Sequence, residues 1–327
     1  MNTRAEGALI GLALGDALGM PTQLLTMSRI RDLFGELDAF HTGPAENPIS
    51  PGQLAGTVTD DTHQAMILAR LLIEGDGAVD LDSFAVELIA WHERMEAAGS
   101  LDLLGPSTLR AITAFRAGTS ATETGRWGDT NGAAMRVAPF GIAHRALPLE
   151  PFVERLAAVN VLTHNTTIGN AGAAAIAAAV SAGIDGATVA DQLGTAVEAA
   201  QLGALHGHDT AGPSVAMRIM WAISLAAAAD DPCEAIATLV GTSVATQESV
   251  PAALAIVAAF PDDPWRGVCA AASLGGDSDT VAAMAGAVFG ARHGVEGFPP
   301  DAVAFLEAAN PGFDLRRVAS ELMEIRR

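Results

Sequence analysis

Apolar residues recur at helical spacing along nearly the whole chain, and short Gly, Pro and Asp clusters interrupt them. No stretch shows the sustained apolar–polar alternation that is typical of a strand. Half of the 327 residues are apolar, Ala dominates this half, and the chain has no Tyr. Because Ala is the strongest helix former and strands favour β-branched and aromatic residues, we expect an all-α protein.

The pattern predicts helices at about 5–18, 61–74, 82–97, 106–117, 133–145, 150–161, 167–183, 188–203, 213–229, 232–243, 250–259, 263–273, 280–292, 299–308 and 313–325. Asp80 and Asp231 are predicted to start two of them. The Gly- and Pro-rich stretch 43–56 is expected to be a loop. The chain has neither fixed-period repeats nor a linker-like composition shift, so we predict a compact single-domain helical bundle over residues 1–327.

Charge, the length of the apolar runs and the cysteine content argue against several kinds of partner and site. The chain has 38 acidic and 18 basic residues, a formal net charge of −20, which repels phosphate backbones and predicts no nucleic-acid partner. The apolar run 168–184 is short for a membrane span, so we predict a buried helix and no membrane partner. Cys233 and Cys269 are isolated, which disfavours a disulfide framework or a zinc site. With no signal-peptide pattern at the start, this predicts a cytoplasmic location.

Two short acidic segments each stand directly before an apolar helical run. They are Thr59-Asp60-Asp61-Thr62 and Gly275-Gly276-Asp277-Ser278-Asp279-Thr280. Helix capping accounts for one Asp in each, because Asp and Thr are favoured N-cap residues and negative charge complements the helix dipole. A second carboxylate at the entrance to a buried helix costs electrostatic energy unless a positive charge lies beside it.

A metal site is the alternative to capping. Ligands that are all oxygen suit Mg²⁺ or Mn²⁺ rather than zinc. Gly275 and Gly276 allow backbone conformations that would turn Asp277 and Asp279 toward one point. Four carboxylates from two segments would suffice to bridge a pair of cations that orient and deprotonate a water. The residues alone leave capping and metal binding open.

Two further helix entrances carry polar residues. The segment 128–136 (GDTNGAAMR) leads small residues into a helix, a geometry whose free backbone N–H groups bind phosphate, although Asn-Gly is also common in simple turns. His164 precedes another helix, where a solitary His is either a structural hydrogen-bonding residue or part of a site. His206 and His208 have no further ligand nearby and are predicted to lie in a solvated loop.

At these residues the chain resembles the ADP-ribosylglycohydrolase family, which includes the dinitrogenase reductase-activating glycohydrolases and the crystallin J1 proteins. The matching blocks, in family order, are GALIGLALGDALGMP at 7–21, TVTDDT at 57–62, NGAAMRVAP at 131–139, TH at 163–164, ESVPAALAI at 248–256 and GGDSDTVAAMAGA at 275–287. Several ordered blocks are far more specific than one motif. The resemblance implies an all-helical domain with two divalent cations, Mg²⁺ or Mn²⁺, in a central dinuclear cleft.

The resemblance also implies roles for individual residues. The cation ligands would be Thr59, Asp60, Asp61, Asp277, Asp279 and Thr280, with Asp279 bridging the two ions. The segment Asn131, Gly132, Ala133 and Ala134 would bind the diphosphate and the distal ribose. His164 would lie near the ADP-ribose cleft.

The implied reaction is hydrolysis of the bond from C1″ of ADP-ribose to an acceptor side chain such as arginine. The expected partner is therefore ADP-ribose, or an ADP-ribosylated protein or small molecule. Such a bond breaks through a cationic, oxocarbenium-like ribose, which nearby Asp residues stabilise. Asp60 or Asp61 is predicted to orient the attacking water, with the metals lowering the pKa of that water.

One catalytic position departs from the family pattern. The family commonly has Pro-x-Glu after its first helix, whereas this chain has Pro21-Thr22-Gln23. Glutamine cannot act as a general base. Either the metal-bound water needs no such base, or another carboxylate such as Glu46 in the 43–56 loop substitutes, or the chemistry is weak or changed. Two alternatives therefore stay open: a hydrolase of a smaller ribosyl metabolite or nucleoside, and an ADP-ribose-binding protein without turnover.

Overall fold

Residues 3–101 and 104–327 are described by a computed structural model, and they form α-helices joined by loops, with no β-strand among them. The helices are α1 (Thr3–Gly19), α2 (Met27–Phe34), α3 (Asp60–Glu74), α4 (Leu81–Ala97), α5 (Pro106–Arg116), α6 (Gly132–Met135), α7 (Ala138–Ala143), α8 (Leu149–Asn160), α9 (Thr167–Ile184), α10 (Val189–Gly203), α11 (Val215–Ala228), α12 (Pro232–Ala235), α13 (Thr246–Ala259), α14 (Pro264–Ala272), α15 (Ser278–His293), α16 (Pro300–Ala309) and α17 (Leu315–Glu324). Single 3₁₀ turns lie at Met20–Thr22, Thr124–Trp127 and Val295–Gly297, and a π-helical turn follows α12 at Ile236–Val240. The predicted all-α class is confirmed.

Two predicted helices differ from the structure in detail, and one observed helix was not predicted. The helix expected at 133–145 is two short helices, because Pro139 in the first turn of α7 has no N–H to continue α6. The helix expected at 232–243 widens into the π turn and ends at Gly241, where φ is +88°. The short helix α2 was missed because its sequence is largely polar and Ile30 is its one buried residue.

Helices α1 and α15 run antiparallel with their backbones in direct contact. Along α1, a Cβ added at Gly11 would lie 2.1 Å from the carbonyl oxygen of Gly286, and one at Gly15 would lie 2.0 Å from that of Ala282. At the end of α1, a Cβ on Gly19 would lie 2.3 Å from the Cα of Asp279. Glycine is therefore required by space at every fourth residue, and the end of α1 meets the start of α15.

The apolar centre of the molecule is formed by α9, α13 and α15, whose residues are nearly all buried. Helix α15 packs against α1, α9, α13 and α14. In the described chain, α9 is the one helix whose length and composition would suit a membrane span, and 89% of it is buried inside the protein. This burial confirms the predicted buried helix at 168–184.

The predicted loop at 43–56 is confirmed, since no helix forms between α2 and α3. Asn47 ties this loop to the turn after α1, because its Nδ2 donates to the carbonyl oxygens of Pro21 and Gln23 at 3.2 and 2.9 Å. Ser50 Oγ donates to the Met20 carbonyl at 2.8 Å. These bonds hold the loop beside the end of α1.

Candidate active site

The first acidic segment begins helix α3 without acting as its cap. Thr59 occupies the N-cap position, but its side chain makes no capping hydrogen bond. Its hydroxyl instead donates to Asp16 of α1 at 2.7 Å. Asp60 and Asp61 follow in the first turn, and both are buried, with 9% and 1% of their surface exposed. Ordinary helix capping therefore does not account for these carboxylates.

The second acidic segment begins helix α15 in the same way. Asp277 is at the N-cap position and its side chain makes no capping bond. Gly275 and Gly276 have φ of +77° and +67°, the left-handed conformations expected of the glycine pair. Backbone bonds between Gly276 and residues 24 and 25, at 2.6 and 3.0 Å, fix the turn against the chain that follows α1.

Contacts between the two segments join residues more than 200 positions apart. Thr280 Oγ1 donates to Asp61 Oδ2 at 3.2 Å. The other oxygen of Asp61 and the Oδ1 of Asp279 are buried and have no hydrogen-bond partner. Since an unpaired buried carboxylate oxygen is costly, these two atoms are the clearest sign that a positive group belongs here.

The electrostatics of the cluster lead to the same conclusion. Burial raises the pKa of the Asp61 and Asp279 carboxyls well above its usual value, and repulsion from neighbouring carboxylates adds to the rise. Burial also raises the pKa of Asp16 and Asp277, against the effect of the hydrogen bonds that they accept. A divalent cation would oppose this rise in pKa, because it attracts the ionised carboxylates.

The donor atoms suit a hard cation. Within residues 3–101 and 104–327, no group of three or more His, Cys, Asp or Glu side chains is arranged so that it could by itself hold a metal ion. The groups present are carboxylates of two segments with hydroxyls of Thr59 and Thr280 beside them, which is the oxygen chemistry of Mg²⁺ and Mn²⁺. The unpartnered oxygens of Asp61 and Asp279 show that these residues fit such an ion.

A cleft of about 270 Å³ opens over this cluster. Of the predicted site residues, it is lined by Gln23, Asp60, Asn131, Gly132, Asp277, Asp279 and Thr280. Thr59, Asp61, Ala133, Ala134 and His164 are buried and are absent from this lining. The fold therefore divides the predicted site residues between the wall of the cleft and buried positions that do not line it.

Asn131 connects the predicted substrate segment to the second acidic segment. Its Nδ2 donates to Asp277 Oδ2 at 2.6 Å and to Ser249 Oγ at 3.1 Å. Its backbone N–H donates to the carbonyl of Val244 at 3.0 Å. Next to it, a Cβ on Gly132 would lie 2.9 Å from the ring of His164, so glycine lets the wall pack directly on that histidine.

Asp60 is held by a hydrogen-bonded chain through Gln64 and Arg136. The sequence did not indicate a role for either residue. Gln64 Nε2 donates to Asp60 Oδ2 at 2.7 Å, and Arg136 Nη1 donates to Gln64 Oε1 at 2.7 Å. The Arg136 guanidinium lies over the ring of Phe84, 5.0 Å from its centroid, and is 2% exposed. Burial lowers the pKa of Arg136 to about 10 and Asp60 opposes that shift, so Arg136 is a buried positive charge beneath the carboxylates at neutral pH.

Arg136 is also connected to the cleft wall at Thr130, through hydrogen bonds that involve Thr163 and His164. Arg136 Nη2 donates to Thr163 Oγ1 at 2.5 Å, and Thr163 Oγ1 lies 2.8 Å from His164 Nδ1. His164 Nε2 lies 3.2 Å from the hydroxyl of Thr130, which lines the cleft. Burial lowers the pKa of His164 well below its usual value, and the positive charges of Arg136 and Arg110 lower it further. His164 is thus a neutral residue that supports Thr130 and Gly132.

Glu46 does not replace the missing glutamate. Its carboxylate accepts two hydrogen bonds from Arg29, at 2.5 and 2.7 Å, on the exposed surface of the loop, and it is not part of the cleft lining. Gln23 itself does line the cleft, is 5% exposed, and has an Nε2 without a partner. The structure therefore offers an amide donor where the family commonly has a carboxylate.

Asp16 is a further residue that sequence reasoning missed. It lies within the matching block at 7–21, yet no role was assigned to it. The available signal was a carboxylate among the Gly, Ala and Leu residues in the second half of α1, a helix that is almost wholly buried. His206 and His208 are partly exposed in the loop after α10, as predicted.

A larger groove of about 530 Å³ lies between α3, α4 and α17. Its wall includes His63, whose ring lies 5.6 Å from Trp91 and 4.9 Å from Phe313. The arginines Arg70 and Arg317 on this groove pair with Glu87 and Glu321, each at 2.7 Å. Because the unpartnered buried carboxylates are at the smaller cleft, the chemistry favours that cleft over the larger groove.

Comparisons with known proteins agree with the helical fold. A family model described as ADP-ribosylglycohydrolase matches residues 1–327. The chain is 38% identical to the uncharacterized protein YegU of Escherichia coli (strain K12), over 99% of this chain and 97% of that protein. It is 32% identical to the ADP-ribosyl-[dinitrogen reductase] glycohydrolase of Rhodospirillum rubrum, over 52% of this chain and 54% of that one.

A solved structure of an ADP-ribosylglycohydrolase-related protein complex has the same fold, with a TM-score of 0.74 and 22% sequence identity over 99% of this chain and 98% of that chain. The fold, together with the family model that matches the whole chain, defines a helical hydrolase of the ADP-ribosylglycohydrolase class. The chain belongs to the ADP-ribosylglycohydrolase family, which confirms the resemblance recognised in the sequence.

Proposed function

We propose that this protein hydrolyses the bond between C1″ of ADP-ribose and an acceptor side chain such as arginine, using two divalent cations, Mg²⁺ or Mn²⁺. The observation that carries the proposal is the pair of buried carboxylate oxygens, on Asp61 and Asp279, that have no partner beside the cleft. The net charge of −20 and the two free cysteines support a cytoplasmic enzyme whose partners are not nucleic acids or membranes.

The residues that would hold the cations are Thr59, Asp60, Asp61, Asp277, Asp279 and Thr280. When bound, such cations supply a water of lowered pKa and hold the oxygens of the substrate. Between the two candidates for orienting the water, Asp60 is favoured over Asp61, because Asp60 lines the cleft and Asp61 lies behind it.

The carboxylates would also stabilise the transition state directly. The ribose becomes positively charged as the acceptor leaves, and the cluster of Asp residues places negative charge where that positive charge develops. The diphosphate and distal ribose would lie along Asn131 and Gly132, with Ala133, Ala134 and His164 supporting this wall from behind. The hydroxyl of Thr130 and the amide of Gln23 also line the cleft and would help to orient the substrate.

Release of free ADP-ribose from a panel of substrates tests this function. The panel contains an ADP-ribosyl-arginine protein, an ADP-ribosyl-serine peptide and O-acetyl-ADP-ribose, each with Mg²⁺ or Mn²⁺. We expect cation-dependent release from one member and a loss of at least about 100-fold in Asp60→Asn, because that change removes a ligand charge and leaves an amide that cannot accept a proton from water. Asp262→Asn is the matched control, since this aspartate is 87% exposed.

Release that survives unchanged in Asp60→Asn would contradict the assignment of the site. No release from any panel member, with the cation bound, would contradict the choice of substrate. A smaller ribosyl metabolite or nucleoside is then the second candidate, because the cleft of about 270 Å³ is at the small end of ligand pockets. Nucleosides therefore belong on the same panel.

A further inference from the structure

The carboxylate of Asp16 is bound by the segment that begins α3. It accepts hydrogen bonds from the backbone N–H of Thr59 at 3.0 Å and from that of Thr62 at 3.1 Å. It also accepts from the hydroxyls of the same two threonines, at 2.7 and 2.5 Å. Asp16 thus does from α1 what a capping residue would do from within α3.

The two threonines flank Asp60 and Asp61 on either side. Anchoring Thr59 and Thr62 to one carboxylate fixes the backbone of the intervening turn, and with it the directions in which Asp60 and Asp61 leave the helix. A buried carboxylate is costly, and four hydrogen bonds to its charge offset that cost and hold it more firmly than a neutral acceptor would. These hydrogen bonds therefore hold the backbone around Asp60 and Asp61 in a fixed position.

The same helix also positions the second acidic segment. Gly19 lies one helical turn beyond Asp16, and its lack of a side chain lets the backbone of Asp279 come close enough that a Cβ would be 2.3 Å from the Cα of Asp279. Both acidic segments are therefore held against one rigid element. Asp16 itself is fully buried and does not line the cleft.

We propose that Asp16 is a positioning residue for the cation site: it sets the placement of Asp60 and Asp61 relative to Asp279 without touching substrate or cation. This proposal rests on the cation site of the proposed function, but not on the reaction that occurs there. Loss of a residue that orients metal ligands typically weakens metal affinity by about 10–100-fold.

Calorimetric titration with Mn²⁺ tests the proposal on the full chain. In Asp16→Asn, one acceptor oxygen becomes an NH₂ donor and the negative charge is lost, so at least one of the four donor groups of Thr59 and Thr62 loses its acceptor. We expect Mn²⁺ affinity to fall by at least about 10-fold. Glu6→Gln is the matched control, because Glu6 is another buried carboxylate of α1 and pairs with Arg316 at 3.2 Å; this variant should keep the wild-type affinity.

A milder pair of variants covers the case in which Asp16→Asn fails to fold. Thr62→Val keeps the shape of the side chain but removes the hydroxyl that donates to Asp16, whereas Thr62→Ser keeps the hydroxyl. We expect weaker Mn²⁺ binding in the valine variant and near-wild-type binding in the serine variant. Hydrogen exchange measured in EDTA on a peptide spanning residues 57–65 should be faster in Asp16→Asn and Thr62→Val than in the wild type.

The proposal is overturned if the folded Asp16→Asn and Thr62→Val proteins bind Mn²⁺ as the wild type does, even if they unfold at lower temperature. It is also overturned if Glu6→Gln loses affinity to the same extent, or if the wild type binds no Mn²⁺. ADP-ribose release is not a readout here. A wild-type protein that binds Mn²⁺ but releases no ADP-ribose would contradict the proposed function and leave the role of Asp16 intact.

Discussion

Gln23 is the single residue whose chemistry most affects the interpretation of the cleft. Its side chain is buried at the end of the first helix, and its Nε2 has no hydrogen-bond partner. An amide at this position can donate to a substrate oxygen but cannot remove a proton from water. The residue therefore favours substrate orientation over base catalysis, and it keeps an ADP-ribose-binding protein without turnover as an alternative.

The Gln23→Glu variant distinguishes these two possibilities. We expect the native protein to release ADP-ribose already, and the variant to bind Mn²⁺ more tightly, because a fifth carboxylate joins Asp60, Asp61, Asp277 and Asp279. Rates and Mn²⁺ affinities would be measured beside Gln201→Glu, which makes the same change at an exposed position of α10. Activity that arises in Gln23→Glu and is absent from the native protein would instead identify a binding protein.

At the scale of elements, the contact between α1 and α15 determines how the two halves of the acidic cluster meet. The two helices touch along the glycines at every fourth residue of α1. If either backbone moved outward, Asp16 on α1 would move away from Asp279 on α15. Close packing of this kind tolerates little added volume. A substitution within this contact is therefore expected to affect both stability and the site.

Gly15→Ala tests this contact. Its new Cβ would lie 2.0 Å from the carbonyl oxygen of Ala282, so α15 must shift, and we expect the free energy of unfolding to fall by about 1–3 kcal/mol. Gly194→Ala is the control, because nothing lies within 4 Å of a Cβ there and alanine should stabilise this helical position by about 0.5–1 kcal/mol. Urea unfolding measures both changes, and equal effects in the two variants would refute tight α1–α15 packing.

At the scale of the whole molecule, stability should depend on pH through buried neutral histidines as well as through the acidic cluster. His144 is buried at the end of α7, with Nε2 3.0 Å from the Gly77 carbonyl and its ring 4.3 Å from that of Phe140. Burial lowers the pKa of His144 from 6.5 to about 4, and nearby arginines contribute. The folded protein therefore keeps this histidine neutral at pH values where the unfolded chain protonates it.

The sign of the pH effect follows from this difference. Above pH 6.5 neither state binds the proton, and between about pH 6.5 and 4 the unfolded state binds it first, so stability falls as the pH falls through that window. We expect the unfolding temperature of the wild type, measured in EDTA, to drop more steeply over this range than that of His144→Gln. Parallel curves for the two proteins would show that His144 does not contribute.

The sequence by itself determined the features that depend on neighbours along the chain. The helical class followed from Ala-rich periodicity, and the caps at Asp80 and Asp231 are present as predicted. The left-handed turn at Gly275 and Gly276 also followed from residue type, because few other residues adopt that conformation. Such features are encoded within a few residues, where capping, propensity and steric limits act.

The tertiary structure alone decided which polar residues meet. Nothing local to Asp16 indicates that it binds a segment more than 40 residues later, or that Thr280 reaches Asp61. Nor could the pattern show that His164 lies behind the cleft wall, or that Glu46 is held by Arg29 on the surface. These outcomes depend on how whole helices pack, since a shift of one helix by a turn would give every one of these side chains a different partner.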